Sequence, residues 1–129
     1  MKTTKKAVIN PLAPKPIGPY TPGILVGDTL FVSGHVPIDP ETKSLVQENM
    51  TQATAQILTN INNLLKTEGF TLENVVKSTI FLTDLNDFNE VNAFYATFFQ
   101  GIPPARETVE VSRLPLDARI EISCIAVKG

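Results

Sequence analysis

The sequence has one cysteine, one histidine and no tryptophan. A single thiol, Cys124, cannot close an internal disulfide, which fits a reducing compartment. A single histidine, His35, leaves no histidine pair for metal-free RNA cleavage. Charge of either sign is scarce. Lys+Arg total 11 against 13 Asp+Glu, a formal net charge of −2, so nucleic acid would meet no basic footprint. No apolar run approaches the roughly 20 residues of a membrane span. The opening MKTTKKAVIN carries lysines but lacks the apolar stretch of a secretory signal. These absences lead us to expect a cytoplasmic protein. Asn49-Met50-Thr51 spells a glycosylation sequon, a triplet that arises often by chance.

What is present reads as globular. Hydrophobic residues make up 43% and charged residues 19% of 129. That is enough chain for one domain, spanning 1–129, with a proper core. Prolines crowd into Asn10 to Gly23, which reads as an irregular loop or linker. A short strand is expected at Lys6 to Ile9. Gly27-Asp28 separates two β-prone apolar runs and predicts a hairpin. The stretch from His35 to Val46 reads as loop. Met50, Ala53, Ile57, Ile61, Leu64 and Leu65 recur at helical spacing, with Asn49 as N-cap and Gly69 as stop. A strand starts at Val75. A second helix starts near Asn86 or Asp87 and carries Phe88, Val91, Phe94, Tyr95 and Phe98, which we read as core or interface. Gly101 and Pro103-Pro104 end it. Two strands close the chain, Arg106 to Val111 and Ala118 to Val127. The order β-β-β-α-β-α-β-β predicts an α+β fold: a mixed sheet of about six strands with two helices on one face.

Alternation along strands sorts side chains by face. Ile120, Ile122, Cys124 and Ala126 form one set and Val109 and Val111 another. Both all-apolar sets are expected under the helices. Arg106, Thr108, Glu110 and Glu121 would then point away from them, with Glu107 toward the helical layer or an edge. A one-residue slip reverses this. The second face also holds Ile125 and Val127, and with two helices the chain has nothing left to cover it. A further subunit is the economical cover.

At these residues the chain resembles the RidA family, also called YjgF/YER057c and, in older naming, endoribonuclease L-PSP or translation inhibitors. IGPYTPGI is similar to the family's opening motif and FVSGHVPIDP to its SGQIP loop. FLTDLNDFNEVNAFYATFF matches its second helix, and PPARETVEVSRLPLDARIEISCIAV its closing signature. The resemblance is collinear over nearly the whole chain. It implies a chorismate-mutase-like fold and a homotrimer with clefts between subunits. The activity it implies is hydrolysis of reactive enamines and imines such as 2-aminoacrylate, without metal or organic cofactor. It places the carboxylate-binding arginine on Arg106 and the glutamate that handles water and protons on Glu121. Tyr20, Ser33, Gly34, Asn92 and Thr108 would line the cleft. Two positions depart from the pattern. Glu107-Thr108 replaces Ser-Cys, so no thiol stands in the cleft, and His35 replaces a glutamine.

The chemistry is compatible with so few groups. An imine conjugated to a carboxylate is already electrophilic. It needs a guanidinium to fix the carboxylate, one proton-transfer group and positioning. Without the resemblance, a strand arginine and a strand glutamate are ordinarily solvated charges, Tyr20 is packing, Asn92 is an exposed helix residue, and Cys124 is an inert core thiol. Two rival functions stand beside the deaminase: an endoribonuclease or translation inhibitor, and a non-catalytic small-molecule-binding regulator.

Overall fold

The computed structural model describes residues 4–13, 15–16 and 18–129. Pro14 of the proline-rich stretch, Ile17 of IGPYTPGI and the first three residues of the opening segment lie outside the described residues. Six strands and two α-helices follow in the predicted order: β1 (Lys6–Val8), β2 (Gly23–Val26), β3 (Thr29–His35), α1 (Met50–Lys66), β4 (Val75–Leu82), α2 (Phe88–Ala96), β5 (Ala105–Glu110) and β6 (Ile120–Val127). They form one mixed sheet in the order β1-β2-β3-β6-β4-β5.

Local chemistry explains the elements. Gly27, at φ 58°, makes the tight turn between β2 and β3, a backbone conformation that an L side chain resists. Asn49 caps α1 by accepting a 2.8 Å hydrogen bond from the Gln52 N–H. Gly69, at φ 76°, follows the helix end. A turn of 3₁₀ helix at Leu85–Asp87 leads into α2, with the Asp84 carboxylate accepting from the Asn86 N–H. Among the described residues no helix is long and apolar enough to cross a membrane.

Both helices lie on one face, and topology gives the reason. The β3–α1–β4 and β4–α2–β5 connections each join parallel strands, and both step the same way across the sheet. The right-handed rule for such crossovers then puts both helices on the same side. Ile57, Leu58, Ile61, Leu64 and Leu65 of α1 and Val91 and Tyr95 of α2 pack there against Leu30, Val32, Ile80, Leu82, Ile120 and Ile122. Among the described residues, no α-helix covers the opposite face. Phe31 remains 46% exposed there, and Val109 and Val127 40% each.

The register corrects one expectation. Arg106 pairs with Ser78 and Thr108 with Ile80, and Ser78 and Ile80 pair in turn with Cys124 and Ile122. Arg106, Thr108 and Glu110 therefore lie on the helical side, while Val109 and Glu107 lie on the open side. Glu107 meets Lys77 there at 2.8 Å. The predicted set for β6 holds, with Ile120, Ile122, Cys124 and Ala126 all buried. The reading of β5 inverts because the open face is itself apolar, so valines suit it too. His35 is the last residue of β3 rather than loop. The last strand begins at Ile120 rather than Ala118, because Ala118 closes a turn in which Leu116 and Asp117 adopt positive φ.

Candidate active site

Two groups of the predicted site residues emerge, one on each side of the sheet. Glu121 is on the open face, paired with Phe81. It borders a cleft of roughly 530 Å³ shared with Tyr20, Ser33, Gly34, His35 and Leu116. A bulge shapes this cleft. Between Val32 and His35 of β3 the register against β6 shifts, which is how sheets re-aim side chains at functional edges. The bulge brings Gly34 against the glutamate. A Cβ at Gly34 would fall 2.7 Å from Glu121 Cδ and 3.0 Å from its Cγ. Only the absence of a side chain there lets the carboxylate lie along the strand. Ser33 Oγ donates to the Thr21 carbonyl at 2.6 Å, tying the bulge to the loop that carries Tyr20. Tyr20 itself is 52% exposed at the mouth.

Partial burial pushes the Glu121 carboxyl above the usual carboxylate range. Among the described residues no hydrogen-bond donor reaches it. His35 shifts the other way, since burial holds its pKa down against the Nδ1 contact of 2.8 Å with the Ser33 carbonyl. The ring thus tends to remain neutral. Cys124 is buried among the helical-side residues, its thiol pushed up to about 12. It behaves as the inert core thiol expected of it.

The second group sits on the helical side, at the β5 edge. Arg106 Nη2 donates to Asn92 Oδ1 at 2.8 Å. Its guanidinium carbon stands 5.0 Å from the Tyr95 ring centre and 5.7 Å from that of Phe88. Thr108 lies two residues further along, next to a recess that it shares with Phe88 and Asn89. Its Oγ1 is buried and, among the described residues, finds no hydrogen-bond partner. Arg113 and Arg119 each meet an aspartate, Asp117 at 2.8 Å and Asp87 at 3.1 Å. No acid of the described residues pairs with Arg106.

Within one chain, then, Arg106 and Glu121 do not converge. The structure joins Arg106 with Asn92, and Glu121 with Tyr20, Ser33 and Gly34. Phe88 and Tyr95, expected as core or interface, border the guanidinium. Their signal was visible, because Phe88, Asn92 and Tyr95 fall at i, i+4 and i+7 along one helical stripe.

A family profile described as "Endoribonuclease L-PSP" matches residues 11–128. The chain belongs to this family. A RutC family protein of Sulfurisphaera tokodaii is 50% identical over 124 residues, covering 96% of this chain and 99% of its own. The 2-iminobutanoate/2-iminopropanoate deaminase of Mus musculus is 42% identical, covering 97% and 93%. Among solved structures, a Rid family protein of Yersinia pestis superposes with a TM-score of 0.92 at 43% identity, covering 97% of this chain and 100% of that one. Escherichia coli TdcF with bound serine does so with 0.90 at 35% identity, covering 96% and 99%. The family expected from the motifs is thus the right one, and so is the α+β fold.

The raised Glu121 pKa sets a stability test. The folded state holds this proton more tightly than the unfolded chain, so the ionised carboxylate destabilises the fold at pH values above both pKa values. Glu121→Gln should raise the melting temperature near pH 7. The gain should disappear as the pH falls below the ordinary carboxylate pKa, where both states are protonated. Thermal unfolding at pH 7 and pH 3.5 checks this. Equal melting temperatures for variant and wild type at pH 7 would contradict it.

Proposed function

We propose that this chain is an enamine/imine deaminase. It hydrolyses 2-imino acids such as 2-aminoacrylate to 2-oxo acids and ammonia, in clefts between the subunits of a homotrimer. The observation that carries the reading is Arg106, a guanidinium oriented by one neutral amide and two ring faces, with no acid of the described residues beside it. Such a group binds a carboxylate through two parallel hydrogen bonds. The mouse relative bears the name of such a deaminase, and TdcF was solved with an amino acid bound.

Arg106 and Glu121 lie on opposite faces of one sheet, so a site that uses both takes them from different subunits. The uncovered apolar face supports such an assembly, because exposed Phe31, Val109 and Val127 gain from burial. Asn92 and Thr108 belong to the arginine side of the cleft. Tyr20, Ser33 and Gly34 belong to the glutamate side.

The substrate carboxylate docks on Arg106, and an enamine takes a proton from solvent on its terminal carbon to become the iminium ion. The imine carbon lies over Glu121 of the next subunit. Glu121 takes a proton from water as the water oxygen bonds to that carbon. It returns the proton to the nitrogen of the tetrahedral carbinolamine. The carbinolamine hydroxyl then gives its proton to Glu121 as the C–N bond breaks, so that ammonia leaves and the 2-oxo acid remains. A carboxylate with a raised pKa is a stronger base, which favours the first transfer. The family's older name refers to RNA, for which this chain offers a net charge of −2 and a single histidine.

The roles separate by kinetics. Arg106→Ala should lower kcat/KM for carboxylated imines by roughly 30- to 1000-fold, about 2–4 kcal/mol, and weaken binding of 2-oxo acids. Arg106→Lys should not fully rescue it. Glu121→Gln should cut kcat by at least ~10²-fold while 2-oxo acid binding stays near wild type. Timed pyruvate release from enzymatically generated 2-aminoacrylate and calorimetry give both quantities. Wild-type turnover by Glu121→Gln would end the directed-water mechanism.

Assembly gives a second test. Light scattering at micromolar concentration should report a trimer. Co-expressed Arg106→Ala and Glu121→Gln subunits should recover part of the turnover that each variant lacks alone, because some mixed clefts contain both intact groups. A monomer, or mixtures as inactive as the pure variants, would refute the two-subunit site.

A further inference from the structure

The other two arginines of this chain each pair with an aspartate. Arg106 meets no acid among the described residues. Its guanidinium lies against two aromatic faces of α2, Tyr95 at 5.0 Å and Phe88 at 5.7 Å. The ring quadrupole attracts a cation without cancelling its charge, whereas a carboxylate neighbour would compete with any incoming anion. Among the described residues only Asn92 takes a hydrogen bond from the guanidinium, through Nη2, so most of the five N–H donors of the fork have no partner there.

The Tyr95 ring is itself anchored. Its hydroxyl donates to Ser78 Oγ at 2.9 Å within the buried layer. Phe99 packs against it, with ring centres 4.7 Å apart. Ser78 is the residue of β4 that pairs with Arg106 on β5. The strand pair thus sets the root of the arginine and, through Ser78, the ring beneath its head.

We propose that Tyr95, assisted by Phe88, is a positioning residue for substrate binding: an aromatic seat that orients the Arg106 guanidinium while leaving its charge available to the substrate carboxylate. This rests on the reading of Arg106 as the carboxylate-binding group. Burial also raises the pKa of the Tyr95 phenol, despite lowering contributions from Ser78 and Arg106. The ring therefore stays neutral and does not become a competing anion.

The test compares Tyr95→Leu, Tyr95→Phe, Phe88→Leu and Arg106→Ala in the full-length protein, with pyruvate as the binding probe and 2-aminoacrylate as substrate. Tyr95→Leu should raise both KM and the pyruvate Kd by roughly three- to thirty-fold, with kcat changed by less than about threefold. Tyr95→Phe keeps the ring face and should restore both to near wild type, even if losing the Ser78 bond lowers the melting temperature. A merely structural role would track the melting temperature instead. If Tyr95→Leu does not fold, half-buried Phe88→Leu should show the same KM-selective effect, and its absence overturns the seat. A folded Tyr95→Leu that binds pyruvate like wild type, while Arg106→Ala does not bind it, defeats the seat alone. Wild-type pyruvate binding by Arg106→Ala defeats the carboxylate reading and the seat with it.

Discussion

Parallel pairing of β5 with β4 is the constraint on which the arginine side of the candidate site depends. It sets Arg106 beside Ser78 and Thr108 beside Ile80. Side chains in a sheet alternate faces, so this register alone decides which side the guanidinium occupies. A slip of one residue would turn Arg106 to the open face. It would lose Asn92 and both rings, and Glu107 would meet the helical layer. The connection through α2 reinforces the choice, since the helix that covers β4 and β5 also supplies Phe88, Asn92 and Tyr95.

The glutamate side depends on a different local device. The bulge in β3 and the missing side chain at Gly34 make room for the Glu121 carboxylate. Each side also holds a group in a state that stability alone would not favour. Glu121 is partly desolvated, the Thr108 hydroxyl is buried without a partner among the described residues, and Arg106 has no acid there. Departures from local optimum of this kind concentrate at functional sites. Cys124 shows the contrast, because it is a potentially reactive group made inert by its place in the core.

Much of the fold was legible in the sequence because it follows from local chemistry. The Asn49 cap, the 3.6-residue recurrence from Met50 to Leu65, the Gly27 turn and the alternation of β6 each express short-range rules, and the structure matches them. The family motifs also located the candidate site residues along the chain. The helix stripe of Phe88, Asn92 and Tyr95 is equally visible, but pattern alone gives its aromatic members as core or interface, and only the fold sets a cation on them.

The orientation of β5 was not legible. Hydrophobicity assigns a strand's face only where one side of the sheet is wet, and here the open side carries Phe31, Val109, Ile125 and Val127. Valines therefore fit either face, and periodicity could not choose. Pairing did: once β5 lies parallel to β4, Ser78 determines where Arg106 points. The sequence by itself determined the elements, their order, the family and the residues with chemical potential. Only the tertiary structure decided that Arg106 and Glu121 lie on opposite faces of one sheet, because strand register is a property of two segments and neither contains it alone.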